Sequence, residues 1–358
     1  MPNLFDPIDL GALHCPNRIL MAPLTRGRAS PGHIPNDVMR LYYEQRASAG
    51  LIISEATGIS QEGLGWPSAP GIWTEAQTEG WKPITEAVHK AGGRIILQLW
   101  HMGRLVHSSF NNGQPGVSAS ATSGIGHAHT ATGRQPLEQA RSLRLDEMPR
   151  VVSDYVKAAE NAKAAGFDGV QIHSANGYLL DQFLRDNSNL RDDDYGGSID
   201  NRIRLMREVT EAVVNVWGAD RVSVRLSPNG DSQGVDDSTP EALFNAAAAA
   251  LQKIGIAFLE LREPGPDGTF GRTDVPKQSP AIRRAFTNPL VLNSDLTAEG
   301  GADLVASGLA DAVSYGRPFI SNPDLVERIR DGKPWAESTM ATWYTPGPEG
   351  YTDYPAAS

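Results

Sequence analysis

The sequence predicts a (β/α)8 barrel of the TIM type, with a hairpin before the first strand and an insertion after the third. Three observations carry this expectation. Short apolar runs of strand character recur eight times. Helical patterns fall between them, and the polar residues able to do chemistry gather where the runs end. The 358 residues suit one such barrel with additions, and 40% apolar residues provide for a large core. A doubly wound sheet is the other architecture that alternation allows.

The eight runs are 18–24, 51–58, 94–100, 169–176, 221–227, 258–264, 289–295 and 312–318. Most are apolar nearly throughout, as strands of a parallel sheet covered on both faces are. Helices are expected over 37–49, 145–165, 200–217, 239–254 and 297–308. Two of these have readable starts: Pro240 follows Ser238 and Thr239 and precedes Glu241, and Thr297 stands two residues before Glu299. Residues 1–17 precede the first strand and read as a hairpin plugging the bottom of the barrel. Residues 101–144, rich in Gly, Ser, Thr, Asn and His, read as a loop or small subdomain. No linker divides the chain, so 1–358 is expected to form a single domain.

Composition removes several classes of function. A net charge of −10 suits neither nucleic acid nor an anionic membrane surface. The single cysteine, Cys15, allows no internal disulfide and no Cys-ligated iron–sulfur cluster. No signal peptide or membrane span is legible, so a cytoplasmic protein is expected, monomer or homodimer. The glycines at 124–126 lack the third glycine and the helix of a dinucleotide fingerprint. The histidines at 101, 107, 127 and 129 lack carboxylate or cysteine partners at a metal spacing, so no metal is expected.

In a barrel the site lies at the C-terminal ends of the strands. Gln98 on the third strand and Arg225 on the fifth pair an amide with a guanidinium. That pair suits a planar heterocycle that gains negative charge, such as a flavin. Gly316 and Arg317 follow the eighth strand, where barrels often bind phosphate. His173 and Asn176 can both donate to one oxygen. Tyr178, neutral at pH 7, can give up a proton. Each has a plainer reading: strand-end histidines are usually structural, buried arginines usually pair, and polar barrel residues often satisfy one another. The weight lies in the set.

The segments PLTR (23–26), LQLWHMGR (97–104), HSANGYLLDQFLRDNSNLRDDDYGGSIDNR (173–202), YGRPFISNPDL (315–325) and EGYTDYP (349–355) together resemble the old yellow enzyme family of FMN-dependent ene-reductases. The resemblance runs over essentially the whole chain, and threonine at 25 places it nearer the classical branch than the branch with cysteine there. It implies FMN as the tightly bound, non-covalent cofactor and NADPH or NADH as a transient reductant. It implies that Thr25 bonds the flavin O4, that Pro23, Leu24 and Ala56 line the ring, and that Gln98 and Arg225 serve its pyrimidine edge. Gly316 and Arg317 would bind the phosphate, with Ser294 and Asp295 nearby, although the family usually has glycine near Ser294. His173 and Asn176 would hold the oxygen of a small activated alkene (an enone, enal or nitroalkene), and Tyr178 would protonate it. Trp66, Trp100, Phe270 and Tyr351 are candidate substrate walls. The other functions considered are a barrel dehydrogenase or demethylase and a flavin-binding protein without turnover.

Overall fold

The computed structural model describes residues 1–265, 268, 271–293 and 295–357. Among them eight parallel strands close on themselves: β1 (Ile19–Met21), β2 (Ile52–Ile53), β3 (Ile95–Trp100), β4 (Gly169–His173), β5 (Val222–Leu226), β6 (Phe258–Arg262), β7 (Leu290–Asn293) and β8 (Ala312–Tyr315). Each pairs with the next, and β8 returns to β1 through Val313 opposite Ile19. Closure leaves no sheet edge and excludes the doubly wound alternative.

The outer layer is α1 (Asp37–Glu44), α2 (Glu75–Lys90), α3 (Met148–Ala164), α4 (Arg204–Trp217), α5 (Pro240–Ile254), α6 (Ser279–Ala285), α7 (Ala298–Ala306) and α8 (Leu325–Arg330). Local chemistry sets their ends. Thr74 and Gln77 form a capping box before α2. Pro240 opens α5 and Gly255 closes it in the left-handed conformation. The Thr297 side chain accepts from Gly300 N–H at the start of α7.

Several elements are shorter than the apolar runs. The chain leaves β4 after His173 because Asn176 turns left-handed at φ 59°. The second run is interrupted after Ile53 and rejoins β3 at Thr57–Gly58. The N-terminal hairpin, Ile8–Leu10 against Leu13–Cys15, packs its apolar side on Leu20, Leu51, Ile96 and Phe258 and so plugs the bottom of the barrel. Its Ala12 N–H reaches Asp220 O at 2.9 Å. The 101–144 insertion forms a hairpin, His127–Thr130 with Gly133–Pro136, and a short parallel pair, Val117–Ser118 with Arg141–Ser142.

The barrel interior is polar where the runs looked apolar. Gln98, Gln171, Arg225 and Glu260 each sit between apolar neighbours that face the helices, and each is buried. They form one chain of bonds. Gln98 Nε2 donates to Gln171 Oε1 at 2.8 Å, and Gln171 Nε2 to Glu260 Oε2 at 3.0 Å. Ser314 Oγ donates to Glu260 Oε1 at 2.6 Å, and Arg225 Nε lies 3.6 Å from Glu260 Oε2. Removing one partner of such a buried ion pair leaves an uncompensated charge. Glu260→Ala is therefore expected to cost about 3–5 kcal/mol of stability, measured by urea unfolding of the apoprotein.

Candidate active site

The C-terminal ends of the strands surround a cavity that, with its open mouth, holds about 1170 Å³ of space not filled by atoms. Its lining includes Pro23, Leu24 and Thr25 after β1, Ala56, Trp66, Gln98 and Trp100, and His173, Asn176 and Tyr178. Arg225, Asp295, Gly316 and Arg317 complete the set of expected residues that it brings together. Ser294 and Phe270 lie outside the described residues.

The polar mouth is built by the chain after β4. Asn176 takes a left-handed turn that few residues other than glycine adopt without partners. It is held there by three bonds. Its N–H donates to Ser227 Oγ at 2.8 Å, its carbonyl accepts from Gln233 Nε2 at 3.1 Å, and the next N–H, of Gly177, donates to Asp181 Oδ2 at 2.9 Å. Asp181 pairs with Arg185 at 2.8 Å, both fully buried, and Gln182 Nε2 donates to the carbonyls of Met102 and Gly177. The helix Leu179–Leu184 is thus the anchor of the turn that precedes it. Gln233 itself stands at φ 59°, and its carbonyl accepts from Arg104 and from Ile125 N–H, which ties the insertion to the mouth.

Three rings meet in this turn. Tyr178 lies edge-on to His173 at 4.9 Å and to Trp100 at 5.0 Å. Burial, and then the charge of Arg225, holds the His173 imidazole well below its usual pKa range, so the ring is neutral at pH 7. Burial pushes the Tyr178 hydroxyl up to about 12, with a hydrogen bond from Gln233 working against it. Tyr178 therefore keeps its proton across the physiological range.

The same cavity gathers buried polar atoms without hydrogen bonds: His173 Nδ1, Asn176 Oδ1, Trp100 Nε1 and Arg225 Nε. Such groups are costly to bury unless something supplies partners. Arg262 and Arg317 line the same cavity. An elongated planar ligand with ring heteroatoms at one end and an anion at the other fits this donor set, and FMN is such a ligand.

One expected wall is elsewhere. Tyr351 is fully buried and does not line the cavity. It stacks on Tyr42 at 4.0 Å, with the Arg26 and Arg28 guanidiniums 5.0 and 4.6 Å from its ring. Cations over an aromatic face make a buried clamp. Arg26 Nη2 also donates to Gly350 O at 2.7 Å, and Arg28 Nη2 to Thr342 O at 2.8 Å. The clamped segment presents Trp343 and Tyr344 to the cavity, and Tyr344 stands 5.3 Å from Trp66. The strand-end rule reaches Asn293, which lines the cavity at the end of β7, but Trp343, Tyr344 and Arg262 go unread as site residues. Arg262 is the last residue of β6, so the same rule could have found it. Nothing local marks Trp343 or Tyr344.

Fold and site together define a flavin-binding barrel oxidoreductase. Residues 3–335 match the NADH:flavin oxidoreductase / NADH oxidase family, and the chain belongs to that family, the old yellow enzymes. It is 59% identical to the solved old yellow enzyme homologue from Zymomonas mobilis, with a TM-score of 0.98 over 99% of this chain and all of the other. Morphinone reductase, solved in complex with tetrahydroNAD, is 43% identical at a TM-score of 0.94, over 100% of this chain and 98% of the other. The curated 12-oxophytodienoate reductase 2 of Arabidopsis thaliana is 40% identical over 99% of this chain and 95% of its own length. The protein is an oxidoreductase that uses FMN and a reduced nicotinamide. Among the described residues no helix is long and apolar enough to cross a membrane.

The two tyrosines are separable. Tyr344→Ala is expected to weaken binding of aromatic ligands by about 1 kcal/mol, roughly fivefold, in a titration followed by flavin absorbance. Tyr351→Phe keeps the stack and is expected to leave that affinity unchanged.

Proposed function

We propose that the protein is an ene-reductase acting on small alkenes conjugated to a carbonyl or nitro group, working as a single FMN-binding unit. The observation that carries this reading is the grouping of His173, Asn176 and Tyr178 in one cavity, with the buried His173 Nδ1 lacking a partner. Relatives named for the reduction of 12-oxophytodienoate and morphinone support it.

When bound, FMN would supply the hydride chemistry between NADPH or NADH and the β-carbon of the alkene. Gln98 and Arg225, fixed by the bonds within the barrel, face the negative charge that reduction brings. Thr25, Pro23, Leu24 and Ala56 shape the ring's seat, while Gly316, Arg317 and Asp295 serve the phosphate end. His173 and Asn176 hold the substrate oxygen and stabilise the enolate-like charge that grows on it. A neutral imidazole is the right form for this, because it donates without giving its proton away. Tyr178 delivers the proton to the α-carbon, so hydride and proton together saturate the double bond. Trp66, Trp100 and Tyr344 form the apolar walls.

Half-reactions separate these roles. Tyr178→Phe is expected to slow re-oxidation of the reduced enzyme by an alkene by about 100-fold or more, and to leave reduction by NADPH within twofold of the parent. Equal loss in both would remove Tyr178 as the specific donor. Re-oxidation by alkene is also expected to stay flat from about pH 6 to 9, because His173 titrates below that window and Tyr178 above it. A limb near pH 6.5 in stopped-flow traces would mean that His173 changes charge during turnover.

A further inference from the structure

The strand β6 ends in Arg262, which is 8% exposed and faces the cavity beside Arg225 and Arg317. Its orientation is set locally. Nη1 donates to the carbonyl of Glu263 at 3.0 Å, and Nη2 lies 3.8 Å from Asp295 Oδ2. The Glu263 carboxylate accepts from Gln278 N–H at 2.6 Å and Ser279 N–H at 3.0 Å, so it is engaged on the helix side. Arg225 is spoken for as well: Nη2 donates to Asn293 Oδ1 at 2.8 Å, and Nε faces Glu260.

Three guanidiniums thus share one largely desolvated space. Burial, then the charge of Arg225, with Arg317 adding, brings the Arg262 pKa down to about 10, against the pull of Asp295. The charges of Arg225 and Arg317 oppose that of Arg262, while Asp295 and Glu260 offset them in part. A doubly charged, oxygen-rich anion removes that repulsion and offers each fork an acceptor.

We propose that Arg262 is a further anchor for the phosphate of FMN, acting with Arg317 across the mouth of β6 to β8. This rests on FMN occupying the cavity. It assigns to Arg262 a hold on the phosphate arm, distinct from the service of Arg225 to the ring.

The test compares two flavins on the apoprotein. FMN carries the phosphate and riboflavin lacks it. Arg262→Leu is expected to weaken FMN binding by about 10- to 100-fold, with riboflavin affinity within twofold of the parent. Arg262→Lys, which keeps a charge but loses the fork, is expected to fall between. Inorganic phosphate should raise the melting temperature of the parent apoprotein and do so less for Arg262→Leu. Equal loss for FMN and riboflavin, or no loss for either, would overturn the assignment. A parent apoprotein that binds neither flavin would instead overturn the occupancy on which the proposal rests.

Discussion

A single carboxylate, Glu260, sits inside the barrel and organises what stands above it. Its two oxygens accept from Gln171 and Ser314 and face Arg225. Gln171 in turn orients Gln98, and Arg225 reaches on to Asn293. The polar groups that line the cavity from these strands are therefore not independent placements. They are ends of one buried network that is satisfied only when all its members are present. A barrel filled with branched aliphatics would pack as well, but it would leave these side chains without fixed directions. Apolar packing is pushed instead to the hairpin plug below and the helical shell outside.

The mouth above that network depends on backbone conformations that cost energy locally. Asn176 and Gln233 both sit at positive φ, and each is bonded to the other's segment. The long block from 173 to 202 is best understood as the support for that arrangement. Asp181, Gln182 and Arg185 are wholly buried and spend their bonding capacity on the turn and its neighbours. Residues that never touch a substrate thus decide where Asn176 and Tyr178 point.

Much of this was legible in the letters. The eight strands, the bottom plug and the insertion follow from periodicity and punctuation, and the strand-end rule gathers the site without any coordinates. The failures have physical reasons. The interior of β3 to β6 reads as apolar because only alternate residues are polar, and Gln98 or Glu260 alone is weak against its neighbours. Strand ends were set too late because a polar residue after an apolar run can continue a strand or leave it. Only the left-handed turn at Asn176 decides. The family resemblance assigns Tyr351 to the pocket, yet the stack on Tyr42 depends on partners more than 300 residues away in sequence, Arg26 giving a bond to Gly350 at a separation of 324. Such pairings leave no local signature. For the same reason Trp343 and Tyr344, which the clamped segment delivers, went unread.

That clamp has a consequence for biogenesis. Arg26 and Arg28 follow the first barrel strand, while Thr342, Trp343, Gly350 and Tyr351 are translated more than 300 residues later. A nascent chain can close the barrel around Glu260 before this, but it has no Trp343 or Tyr344 to roof the cavity, and Arg26 has only Tyr42 of its two stacked tyrosines. The wall of the site is completed only after all eight barrel strands have been made. Cofactor met before that would face an open bowl, and secure retention awaits the clamped segment.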